Sequence, residues 1–192
     1  PSIQLTGDQI LLVEGIHGLN PLLQGVLPEG TSMRLFVSAL TQLNLDAHNR
    51  VSTTDMRLIR RIVRDAVFRG YPAEQTLSVW GNVRRGEKEH IFPYQEEADL
   101  MFNSALSYEM AVLKPLVEPH LFRVRDAKLR GGAERLLGLL RWFERLSGVE
   151  VPSNSILREF IGASRLREFV ATPLPSVRNA DEEGALEGGI EG

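Results

Sequence analysis

The chain has 192 residues, enough for one substantial core, and its 43% hydrophobic and 24% charged content is ordinary for a globular protein. A net charge of −3 gives no case for nucleic-acid or membrane binding, and the lack of cysteine excludes disulfides, thiol nucleophiles and Cys-ligated zinc. No apolar run approaches the roughly 20 residues of a membrane span, and Pro-Ser-Ile-Gln-Leu at the start has no leader character, so a cytoplasmic protein is expected.

Gln9 to Gly15 is a continuous apolar run closed by Glu14-Gly15, which suits a strand buried on both faces. Arg34 to Ala39 is a second such run. The spacer can hold a short helix around Pro21-Leu22-Leu23, so the two runs predict a βαβ unit and hence a parallel sheet. Leu40 to Ser52 is polar and reads as a loop.

Thr54 to Asp65 reads as a helix capped by Thr53 or Thr54, with Asp55 in its first turn. Leu58, Ile59, Ile62 and Val63 lie on one side. Arg57, Arg60, Arg61 and Arg64, at i, i+3, i+4 and i+7, share the other, where they repel one another. A solvated face neutralised by Asp55 and Asp65 is the plain reading. A polyanion is the sharper one, because guanidinium forks pair bidentately with phosphate oxygens. The bias toward arginine is chain-wide: of 22 Lys and Arg, only Lys88, Lys114 and Lys128 are lysines. Genomic base composition explains that bias at least as well as anion chemistry.

Arg69-Gly70-Tyr71-Pro72 ends this helix, and a second is expected from Ala73 to Arg85, closed by Gly86. Gly86 to Gln95 reads as a charged loop, and Ala98 to Phe102 as a short strand ending at Asn103-Ser104. Further helices are expected over Leu106–Leu113, Gly131–Leu146 and Ser155–Ile161, with an edge strand at His120–Val124. From Pro173 the composition predicts a disordered acidic tail, 173–192.

Among candidate chemical groups, Glu14 stands where ligands bind in open parallel sheets, beyond a strand's carboxyl end, and a carboxylate there can hold Mg²⁺. The competing reading is a turn cap or an arginine partner. Gln75 begins the second helix and reads first as an exposed polar residue. Trp80, with Leu77, reads as core rather than as a base-stacking platform. His17, His48, His90 and His120 have no metal-ligand spacing. Glu96, Glu97 and Asp99 read as solvated acids on a turn. Ser2, Ser104 and Ser155 lack the nucleophile-elbow glycines of a serine hydrolase.

Taken together, Ile10–Ile16, Arg34–Val37, Asp55–Asp65 and Arg69-Gly70 resemble the uridine kinase and phosphoribulokinase family. Ile91–Asp99, Phe102–Leu106 and Val151–Gly162 are similar to a bacterial uridine kinase-like branch, so the resemblance spans about Gln9 to Ser164. It implies an α/β fold: part of a P-loop NTPase-type parallel sheet with flanking helices and a helical lid at about 50–90, within a kinase-like domain over 1–172. It implies ATP as phosphoryl donor, Mg²⁺ and a nucleoside-like small-molecule acceptor, and it allows a homo-oligomer. In its terms Glu14 would help hold Mg²⁺, Arg57 and Gln75 would contact the acceptor, and Arg57, Arg60, Arg61 and Arg64 would face the phosphates.

One departure is plain. Nothing fits G-x-x-x-x-G-K-[ST], and the family's proton-accepting acid is missing too. The sequence therefore reads as the C-terminal portion of such a kinase, inactive alone. A non-catalytic binding or regulatory protein on a degenerate kinase scaffold, or a phosphoribulokinase-like sugar kinase, are the alternatives.

Overall fold

A computed structural model describes residues 6–28 and 30–166. The chain divides into two units, Pro1–Leu12 with Arg167–Gly192, and Val13–Leu166. The expected tail at 173–192 lies outside the described residues. Of the first unit, 6–12 are described. They form a turn in which the Gln9 N–H donates to the Thr6 carbonyl at 3.1 Å and the Thr6 hydroxyl donates to Asp8 at 2.6 Å.

The first expected strand is not formed. Residues 9–14 take no strand conformation, and Ile10, Leu12 and Val13 are 93%, 84% and 69% exposed. A strand needs a neighbour to satisfy its backbone, and among the described residues no strand pairs with this run. Helix α1 (Pro21–Gln24) forms as expected, capped by the Asn20 side chain.

The sheet in the second unit is a parallel pair, β1 (Leu35–Ser38) and β2 (Leu100–Asn103), in the register Leu35↔Leu100 to Ser38↔Asn103. The crossover between them is the long helical hairpin α2 (Thr53–Arg69) and α3 (Ala73–His90), not the spacer that the sequence suggested. Phe36 is buried, whereas Leu35, Val37, Leu100, Met101 and Phe102 are each about half exposed. Most of the pair's apolar surface is thus uncovered, unlike parallel sheets that are packed on both faces.

Asp99, read from sequence as solvated, clamps the start of the pair. Its carboxylate accepts the Arg34 backbone N–H at 2.8 Å, Nε at 3.1 Å and Nη2 at 2.6 Å. Those hydrogen bonds pull the Asp99 carboxyl down from 3.8 to about 2. Because the folded value is depressed, the clamp's contribution is complete above about pH 4 and is lost as pH falls toward 2. Asp99→Asn should therefore reduce amide-exchange protection of β1 at pH 5, with the difference from wild type vanishing near pH 2. A difference that persists at pH 2 would contradict this account.

The hydrophobic core lies among the helices. Met56, Leu58, Ile59, Ile62 and Val63 of α2 are buried in one cluster with residues of α4 (Glu109–Leu121) and α5 (Ala127–Leu140). The expected cap of α2 is displaced: Ser52 holds the N-cap position, Thr53 and Thr54 are helical, and no side chain caps the end. Gly70 ends α2 in the left-handed conformation at φ 68°, as a glycine after Arg69 predicts.

Other boundaries differ from expectation too: the helix expected over Leu106–Leu113 runs from Glu109 to Leu121, and α5 ends at Leu140 rather than Leu146. Helix α3 continues through Gly86 to His90, because Glu87 in its last turn is buried and ion-paired; an interior glycine costs only about 1 kcal/mol. His120–Val124 is not an edge strand but the end of α4 and the turn after it, where Leu113, Val117, Leu121 and Val124 continue one buried face. Helix α5 begins at Ala127, earlier than Gly131, because the Asp126 side chain caps it by accepting Lys128 N–H at 2.7 Å.

Two prolines sit within α4. Pro115 has no N–H for the Ala111 carbonyl, and that carbonyl accepts Leu146 N–H at 3.1 Å instead. The gap in the helix ladder thereby anchors the segment that leads to α6 (Arg158–Ile161). The expected helix at 155–161 is present only in that shorter form.

Candidate functional site

Strands β1 and β2 run parallel, so their carboxyl ends open on the same side, the usual place for a ligand in such sheets. Asn103 fixes both exits. Its side-chain oxygen accepts Leu40 and Ala105 N–H at 2.9 Å each, and its amide donates to the Leu40 carbonyl at 2.9 Å.

A cleft of about 230 Å³ opens there. Its floor is Val37, Ser38 and Ala39 with Ser104; α2 contributes Arg57, Arg60, Arg61 and Arg64, α3 contributes Trp80, Val83 and Glu87, and Phe160 comes from α6. The arginine periodicity of the sequence thus translates into four guanidinium groups around one cavity. They stand on a helix whose opposite face is core.

Each arginine has a different electrostatic setting. Arg57 Nη2 is 2.5 Å from Glu87 Oε1, and Arg60 Nε is 2.5 Å from Glu109 Oε2. Arg60 also donates to the Ser104 hydroxyl at 3.2 Å and carbonyl at 2.6 Å, and its guanidinium lies 5.4 Å from the Phe160 ring centroid. Arg61 Nε is 2.6 Å from Asp65 Oδ2. Arg64 is the exception. Among the described residues its only acid within 4 Å is Glu159 at 3.8 Å, and its Nε is buried without a hydrogen-bond partner. Buried donors are rarely left unpaired, and Arg64 is the least compensated of the four cleft arginines.

Asp65 organises the underside. Burial works to raise its carboxyl, but hydrogen bonds from Arg61 and Thr76 and the charges of Arg61 and Arg69 hold it below the ordinary 3.8.

Glu14 and Gln75 are not brought to this cleft. Both are exposed, and Glu14 follows no strand. Among the described residues no three His, Asp or Glu side chains gather as a metal site. His17 and His90 do meet, with ring centroids 5.0 Å apart, although no spacing in the sequence pairs them. Among the described residues no helix is long and apolar enough to cross a membrane.

Several cleft residues escaped the sequence reading. Glu87, Ser104 and Phe160 were not singled out as site residues, and Trp80 read as core. A signal existed for α3: Trp80, Val83 and Glu87 fall at i, i+3 and i+7, one face of the helix. Nothing local marks Phe160, which is brought in by tertiary structure.

The model of the phosphoribulokinase / uridine kinase family matches residues 1–111. The chain belongs to that family. The matched stretch contains both strands, the helical hairpin and all four cleft arginines, whereas Phe160 lies beyond it. Neither the curated proteins nor the solved structures contain a match to this family member. Membership is that of a kinase family and implies ATP use, typically with Mg²⁺.

Proposed function

We propose that this chain supplies the phosphate-neutralising side of an ATP-dependent nucleoside kinase of the uridine kinase type, which moves the γ-phosphoryl of ATP to a nucleoside hydroxyl. The observation that carries this reading is the cluster of four arginines around one cleft at the carboxyl ends of two parallel strands. Phosphoryl transfer asks a protein mainly to position the reactants and to stabilise charge on the transferring group. In this reading Arg64 donates to phosphate oxygens, Arg57 and Arg61 turn from their carboxylates toward the ligand, and Arg60 stays as a structural tie. No residue of the chain replaces the absent G-x-x-x-x-G-K-[ST] loop, so the purified 192 residues should bind the phosphates without turnover. ATP-dependent phosphorylation of uridine by the purified chain would refute that last statement.

Arg64→Ala is expected to weaken binding of ATP or tripolyphosphate roughly tenfold or more, as read by isothermal titration at low salt. Its melting temperature should stay close to wild type, because the 3.8 Å contact to exposed Glu159 is a weak surface pair. Unchanged affinity would remove the anion-site assignment.

A non-catalytic scaffold is the second reading. It is favoured by the short acid pairs at 2.5–2.6 Å that already occupy Arg57, Arg60 and Arg61. Failure of ATP, uridine and ribulose 5-phosphate to bind at all would decide for it.

A further inference from the structure

Besides its four arginines and Glu87, the cleft has an apolar part. Trp80 and Val83 of α3 and Phe160 of α6 contribute this apolar lining. Phe160 is 7% exposed and held beside Arg60, so it is a fixed wall. Trp80 is partly buried: it packs against the hydrophobic core and also lines the cavity. A side chain needed only for packing has no reason to present an indole to an anion site. We propose that Trp80 is the specificity-determining wall of this cleft, stacking the flat base of a nucleotide whose phosphate the arginines hold.

This inference rests on the phosphate-binding reading above and sharpens it to a ligand class. A cavity of about 230 Å³ is smaller than pockets that enclose a drug-sized ligand, which start near roughly 300 Å³. It has room for a ring beside a phosphate, with the rest of the ligand in solvent. A sugar phosphate offers hydroxyls, which lose their water against Trp80, Val83 and Phe160 and gain no partner there. A nucleobase offers a π-face, which indole stacks regardless of base identity. The cleft therefore favours a nucleotide over a pentose phosphate of equal charge.

The chain has two tryptophans, and Trp142 is 65% exposed and is not among the cleft residues. Trp142→Phe leaves Trp80 as the sole indole reporter. In that background, UMP should quench the fluorescence saturably and bind roughly tenfold tighter than ribose 5-phosphate. By isothermal titration, Trp80→Leu should bring UMP down to the affinity of ribose 5-phosphate and leave the latter unchanged; Trp80→Phe should keep most of the preference. Equal binding of the two esters, with Arg64→Ala weakening both, would overturn the role of Trp80 and leave the phosphate reading standing. Binding of neither ester would overturn both. The comparison of the two esters needs no substitution at position 80, so it stands even if Trp80→Leu does not fold.

Discussion

Replacing Glu109 with alanine is expected to lower stability by about 3–5 kcal/mol, the largest effect of any single charged residue among the described residues. Glu109 is 0% exposed. One of its oxygens accepts Arg60 Nε at 2.5 Å and the other accepts Leu106 N–H at 2.9 Å. The carboxylate therefore ties the cleft helix α2 to the start of α4. Removing it strands a guanidinium whose side chain is only 12% exposed and leaves a backbone N–H unpaired. The loss of the pair and the desolvation of what remains act in the same direction. Glu109→Gln should cost less, because the amide oxygen can keep one acceptor role while the arginine charge goes unneutralised. Replacing both partners, Arg60→Met with Glu109→Leu, should recover much of the loss, since apolar groups of similar volume need no solvation. Urea denaturation of the three variants gives the comparison. A loss below about 1 kcal/mol for Glu109→Ala would show that water enters and solvates Arg60.

The elements that were legible in the sequence are those whose signal is local. Helix α2 shows its apolar and arginine faces within one periodic run, and Gly70 marks its end by the φ it alone tolerates easily. Strands β1 and β2 stand out as short apolar runs with loop residues on either side. The run at 9–15 carries the same composition, yet it is not a strand, because composition measures how well a segment suits a sheet and not whether a neighbouring strand is present to receive it. The α3 and α5 boundaries went astray for a related reason. Glu87 outweighs Gly86 through its partner on another helix, and Asp126 is fixed partly by Glu74, whose carboxylate accepts its N–H at 3.0 Å. In the cleft, the four arginines follow from periodicity, but their partners do not. Glu109 is 49 residues from Arg60, and Phe160 is contributed by the last described helix. Such pairings are set by how helices stack, which a period of 3.6 does not encode.

Asp65 is the second residue whose removal should be severe, and its effect should depend on pH. It is 1% exposed and accepts three side-chain hydrogen bonds, from Arg61 Nε at 2.6 Å, Arg69 Nη1 at 2.9 Å and Thr76 Oγ1 at 3.1 Å. Its carboxylate thus joins α2 to the first turns of α3, while its backbone carbonyl accepts the Tyr71 N–H at 3.0 Å in the turn between them. Asp65→Ala should cost about 2–4 kcal/mol, since it leaves the buried Thr76 hydroxyl unpaired and two guanidinium groups without a counter-charge. The folded carboxyl is held below 3.8, so its contribution is present in full above that value and is lost as pH falls through the depressed folded value. Asp65→Asn, which keeps the shape and removes the charge, should melt well below wild type at pH 6. The gap should narrow steadily from about pH 4 downward as the wild-type carboxyl takes up its proton. A gap of constant size down to pH 2 would mean that Asp65 acts through shape and hydrogen bonding alone, and that the charge of Arg61 is balanced by something other than this carboxylate.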